Sequence, residues 1–82
     1  MSPKQLTDER VRIGAYLAAL RRTSGLTQHD LSELTGILRP HIARIESGKK
    51  NVGIDSLLKY ALVMGYTFHL KKKNGRRASP IR

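Results

Sequence analysis

The chain of 82 residues contains no cysteine, so neither disulfides nor thiolate metal sites can stabilise it. Its length suits one small domain, which buries a modest share of its surface, and oligomerisation is a common remedy. No apolar run approaches the roughly 18 residues of a membrane span. The opening residues MSPKQLTDER have no hydrophobic stretch of the signal-peptide kind. These absences predict a cytoplasmic protein without a membrane partner. Acids are scarce too: 6 Asp and Glu stand against 16 Lys and Arg, a formal charge of +10. Such an excess attracts polyanions and releases counterions when they bind. It is uneven, because residues 71–82 hold Lys71, Lys72, Lys73, Arg76, Arg77 and Arg82 and no acid. A basic run of this kind reads as a solvated tail at least as readily as a dedicated binding arm; residues 73–82 are therefore assigned as a basic, disordered tail.

Catalytic equipment is also lacking. There is no cysteine nucleophile, no Ser–His–Asp grouping with a pocket, no phosphate-cradling glycine loop and no paired carboxylates. The chain is therefore not expected to be an enzyme. His29, His41 and His69 include no pair four residues apart on one helix and have no cysteine or clustered carboxylates for company. No metal and no cofactor is expected.

What is present is helical periodicity punctuated by glycine. Thr7 can cap a first helix, with Leu6 and Val11 placed as a hydrophobic staple. Ile13, Tyr16, Leu17 and Leu20 recur at helical spacing, and Gly25 ends the run. Thr27 caps a second helix with Asp30 three residues on. Leu31 and Leu34 are assigned inward, and Gly36 stops it. A third helix runs from about Arg39 to Ser47, with Ile42 and Ile45 inward and Gly48 at its end. Leu38 offers no capping side chain, but Pro40 is tolerated in a first turn. Ile54 to Met64 reads as a fourth helix with Leu57, Leu58, Ala61 and Leu62 inward, closed by Gly65. Tyr66-Thr67-Phe68-His69-Leu70-Lys71 then alternates apolar and polar residues, which argues a strand. It has no second strand in this chain to pair with. Residues 1–65 are therefore the folded domain, and 66–72 either a frayed extension or a strand that pairs with the same strand of another copy. Tyr66, Phe68 and Leu70 would be its dimerisation residues.

Two short helices joined through Gly36 and a tight turn, with a third element packed across them, describe a helix-turn-helix. The short turn holds the second helix of the pair at a steep angle, so that its outer face protrudes. Residues 13 to 65 resemble the Cro/C1-type (Xre) helix-turn-helix family. The resemblance lies in Gly25-Leu26-Thr27-Gln28-His29-Asp30-Leu31, Gly36-Ile37, Ile42-Ala43-Arg44-Ile45-Glu46-Ser47-Gly48-Lys49-Lys50-Asn51 and Leu57-Leu58. It implies an all-α, lambda-repressor-like bundle of four to five helices, here with a short C-terminal β-strand, that binds double-stranded DNA.

The resemblance also implies residue roles. Gln28 would bond backbone phosphate, while Arg39, Pro40, Ala43 and Arg44 would enter the major groove. His41 lies nearby as a phosphate or base contact, and Lys49 and Asn51 match phosphate-touching positions. Glu46 would pair inward with Arg21 as a structural ion pair. Leu38, Pro40 and Val52-Gly53 depart from the family pattern. The implied function is a sequence-specific transcriptional regulator, a repressor acting as a homodimer on a palindromic operator. A strand after the fourth helix further resembles HipB-like antitoxins, whose operon partner is a toxin protein. The rival reading is a protein-interaction adaptor that keeps the fold without specific DNA binding.

Overall fold

A computed structural model describes residues 1–72, and the basic tail assigned to 73–82 lies outside the described residues. Four helices follow one another: α1 (Pro3–Thr23), α2 (Gln28–Thr35), α3 (Arg39–Glu46) and α4 (Ile54–Leu62). Among the described residues none of the helices is long and apolar enough to cross a membrane.

The first helix starts earlier than Thr7. Ser2 is its cap: the Ser2 hydroxyl accepts the Gln5 amide at 3.1 Å, and the Gln5 side chain accepts the Ser2 amide at 2.9 Å. This reciprocal box, with Pro3 preorganised behind it, outcompetes the later threonine. Thr7 lies one turn inside the helix, where its hydroxyl accepts from Arg10 Nη2. Leu6 and Val11, assigned as a staple, are about half exposed. The second helix begins at its assigned cap. Thr27 Oγ1 accepts the Asp30 amide at 3.0 Å, and the Asp30 carboxylate accepts the Thr27 amide at 2.9 Å. The Thr27 amide first, and the nearby Thr27 hydroxyl second, hold the Asp30 carboxyl below its ordinary range.

The α2–α3 turn is fastened from inside. Gly36 takes the left-handed conformation at φ +77°, which glycine adopts without a Cβ penalty. The Ser32 hydroxyl donates to the Ile37 carbonyl at 2.6 Å, and Thr35 Oγ1 accepts the Ile37 amide at 3.0 Å. Three residues between helices thus carry several local bonds, and the angle of α3 is set by covalent shortness and these hydroxyls together.

The core is Leu17, Leu31, Ile37, Ile42, Ile45 and Tyr60, flanked by Ile13, Leu26, Val52, Leu57 and Met64. Two assignments on its edge need correction. Leu34 is 57% exposed, because α2 turns only its Leu31 side toward the core. On α4 the inward set is Leu57, Tyr60, Ala61 and Met64, at helical spacing. Leu58 and Leu62 sit on the outer side, and α4 ends at Leu62 rather than Met64. Tyr60, wholly buried, sets that helical phase through its hydroxyl bond to Glu46.

Helix α1 crosses the end of α3 with backbones nearly touching. A Cβ placed on Gly14 would lie 2.5 Å from the Ile45 carbonyl oxygen and 2.7 Å from that of Glu46. On the other side, a Cβ on Gly48 would lie 2.7 Å from the Val11 Cα. Arg10 Nε donates to the Gly48 carbonyl at 3.1 Å across the same seam. No strand is formed among the described residues. Residues 66–72 leave α4 through a Tyr66 amide bond to the Ala61 carbonyl (3.0 Å), and residues 67–72 make no hydrogen bond with another described residue. A ladder needs a second strand, and the described residues offer none.

Candidate nucleic-acid interface

Helix α3 has two unlike sides. Ile42 and Ile45 are buried, whereas Arg39, Pro40, Ala43 and Arg44 are exposed. The exposed residues fall at i, i+1, i+4 and i+5, one continuous helical face. His41 is half-buried at its margin. The helix carries no side-chain N-cap, since Leu38 stands at that position with extended backbone. Pro40 in the first turn lacks an amide that would otherwise be left over.

The inner end of α3 is held by a single carboxylate. Glu46 Oε2 accepts Arg21 Nε at 2.7 Å and also the Tyr60 hydroxyl; Glu46 Oε1 accepts Arg21 Nη2 at 3.0 Å and Gln28 Nε2 at 3.0 Å. Arg21 spends its remaining arm on the Leu26 carbonyl at 2.8 Å. Four donors fill the lone-pair positions of one carboxylate, and they arrive from α1, α2 and α4. Burial alone would push the Glu46 carboxyl up; the bonds from Arg21, Tyr60 and Gln28 and the Arg21 charge outweigh it and hold the carboxyl low. The bond to Glu46 raises the Arg21 guanidinium. Burial first, and the Glu46 carboxylate second, push the Tyr60 hydroxyl up, so that it stays a donor. Among the described residues no buried side-chain polar atom lacks a partner.

Gln28 therefore has a divided amide. One Nε2 hydrogen is committed to Glu46, and the second, with the carbonyl oxygen, remains at the half-buried start of α2. The α2 N-terminus itself directs backbone amides outward beside it. Beyond α3, Gly48 is left-handed at φ +74°, and Asn51 is the one non-glycine described residue with positive φ, at +61°. Lys49, Lys50 and Asn51 are all exposed. Arg44 Nη2 donates to the Lys50 carbonyl at 2.8 Å.

A helix-turn-helix family model matches residues 17–70. The chain belongs to the Cro/C1-type helix-turn-helix family. It is 36% identical over 61 residues to an uncharacterized HTH-type transcriptional regulator of Haemophilus influenzae, a match covering 74% of this chain and 62% of that protein. It is also 31% identical over 58 residues to the uncharacterized HTH-type transcriptional regulator y4dJ of Sinorhizobium fredii, covering 71% of this chain and 75% of that one. The chain thus spans less than two thirds of the Haemophilus relative's length.

Within this helix-turn-helix, α2 and α3 are the paired helices, and α1 and α4 are the frame behind them. Arg39, Pro40, Ala43 and Arg44 share one outer face, with Lys49 and Asn51 in the following loop. Gln28 belongs to a different helix and is joined to that unit through Glu46. Two features escaped the sequence reading. Tyr60 as a ligand of Glu46 leaves no local sequence mark, since it is one aromatic among α4's apolar residues. Gly14 does leave one: a glycine inside an amphipathic helix signals close backbone approach.

Proposed function

We propose that this chain is a sequence-specific DNA-binding transcriptional regulator, a cytoplasmic repressor that acts as a homodimer on a palindromic operator. The observation that carries the reading is the division of α3. Its inner side is locked to three other helices through Ile42, Ile45 and Glu46, and its outer side presents two guanidiniums with two small apolar surfaces. An arginine fork can grip guanine O6 and N7, at about 1–3 kcal/mol of discrimination per good pair. Pro40 and Ala43 suit thymine methyls, and His41 lies at the edge of the same face. Gln28, Lys49 and Asn51 flank it with donors of the kind that meet phosphate.

The homodimer is supported by the chain after α4. Tyr66 and Phe68 are nearly half exposed, and Leu70 is 98% exposed. With Ile13, Tyr16 and Leu20 of α1 they line an apolar groove of about 370 Å³. Apolar side chains beside a backbone with unused hydrogen-bonding groups invite strand addition, and the same segment of a second copy meets both needs. Two recognition helices on one face of DNA then sit about one turn apart, roughly 34 Å. In an antitoxin such a dimer would also carry a toxin protein; that extension draws on the HipB-like resemblance of residues 66–71.

The deciding experiment is binding to the protein's own promoter region and to random duplex across about 50–200 mM salt. A promoter preference of ~10³ or more that persists at the higher salt is expected. Equal binding to both DNAs, lost together as salt rises, would replace this reading by the adaptor one.

A further inference from the structure

The loop that follows α3 is fastened to one residue, once through its backbone and once through its side chain. Lys49, Lys50 and Asn51 make two hydrogen bonds with other described residues, and both go to Arg44. The Lys49 amide donates to the Arg44 carbonyl at 3.1 Å, and Arg44 Nη2 donates to the Lys50 carbonyl at 2.8 Å. The loop is otherwise exposed. Asn51 holds a left-handed backbone at φ +61°, a conformation of low intrinsic population that needs surrounding contacts to persist.

The charges sharpen this picture. Arg44 reaches back across the loop carbonyl and brings a third cation to Lys49 and Lys50. The ion pairs of the described residues are Lys4–Asp8, Arg12–Glu9 and Arg21–Glu46. No carboxylate therefore neutralises the Arg44–Lys49–Lys50 group among the described residues. Three cationic side chains on one short exposed stretch, with no carboxylate paired to them, favour an anion at the loop. One of the five Arg44 guanidinium hydrogens is engaged on the Lys50 carbonyl, which turns that side of the group toward the loop.

We propose that Arg44 is a positioning residue: it braces the Lys49–Asn51 loop in the shape that receives a DNA phosphate, and it leaves base discrimination to the N-terminal part of α3 around Arg39. This rests on the DNA-binding reading above. It separates two residues that lie on one helical face and look alike in the sequence. Arg39 stands at the start of α3 with no side-chain bond within the described residues, whereas Arg44 is engaged with the loop.

The test has two arms on the full chain. In the free protein, NMR follows Lys50 and Asn51 in wild type and Arg44→Ala. The brace predicts shifted Lys50 and Asn51 resonances and loss of the left-handed Asn51 shifts, while the Lys49 amide, bonded to the backbone carbonyl of residue 44, stays protected and the rest of the spectrum is unchanged. An unchanged loop overturns the proposal. In the second arm, affinity for the promoter and for random duplex is measured for Arg44→Ala, for the Lys49→Ala/Lys50→Ala pair, and for the triple variant. Arg44→Ala should weaken both DNAs by a similar factor, about fivefold or more. On the Lys49→Ala/Lys50→Ala background it should cost less than about twofold, because the loop it positions no longer carries charge. A loss confined to promoter DNA, or a full loss added on top of the loop variants, overturns the brace. Wild-type protein that binds neither DNA defeats the DNA-binding reading itself, and the brace falls with it.

Discussion

Glu46 accepts four hydrogen bonds, from Arg21, Gln28 and Tyr60, so its removal is felt in every helix. Its side chain is 7% exposed and that of Arg21 is 9%, so breaking the pair leaves a poorly solvated charge behind. Arg21→Met should destabilise the domain by about 3 kcal/mol in urea unfolding. Tyr60→Phe, which deletes one hydroxyl and keeps the ring, should cost about 1–2 kcal/mol. A Tyr60→Phe as damaging as Arg21→Met would show that the hydroxyl, and not the ion pair, dominates. The same site dictates a pH response. The folded Glu46 carboxyl titrates below the ordinary value of about 4.3, so it binds its proton more readily in the unfolded chain. Its contribution is therefore complete above that ordinary value and is lost as pH falls through the lower, folded one. Unfolding of wild type and Glu46→Gln between about pH 3 and 7 should show a gap that closes at the acid end. A gap that widens on acidification would contradict the assignment.

At the scale of elements, the crossing of α1 and α3 rests on Gly14. In an isolated helix, alanine is favoured over glycine by about 1 kcal/mol. Here the added methyl would meet two backbone carbonyls at 2.5 and 2.7 Å, and backbone cannot step aside as a side-chain tip can. Gly14→Ala should therefore destabilise by about 1–3 kcal/mol, lowering the melting temperature of a domain this size by several degrees. A Gly14→Ala protein as stable as wild type would mean that α1 and α3 can move apart at no cost. Such seams also mark how far sequence reading reached. Helices α2 and α3 were legible because Thr27, Asp30, Gly36 and Gly48 are local signals that act within a turn. The outer face of α3 followed from Ile42 and Ile45 by spacing alone. The phase of α4 was not legible: Leu57, Leu58, Ala61 and Leu62 form as good an apolar stripe as the real one. What decides between the two stripes is Tyr60 reaching a carboxylate 14 residues away in the chain. The start of α1 was misplaced because Thr7 and Ser2 both offer caps, and only Ser2 has a glutamine three residues on to answer it. Arg44 beside the loop was hidden because an arginine on an exposed face carries no mark of its own partner.

For the whole molecule, the dimer proposed through residues 66–70 gives a separable prediction. Phe68→Asp places a charge in the apolar groove without touching the buried core. The variant should keep its helical circular dichroism, sediment as a monomer and lose operator affinity at least tenfold. A variant that stays dimeric would move the interface elsewhere. Helix α3 also distributes its labour by position. Ile42, Ile45 and Glu46 serve the fold, while Arg39, Pro40 and Ala43 have no place in the core. Substitutions at those three positions can change what the surface recognises with little cost to folding. Under the function proposed above, such a scaffold can acquire a new operator over evolutionary time by a few point mutations, each intermediate remaining folded, so that duplicated copies in one genome would diverge quickly into regulators that ignore one another's sites.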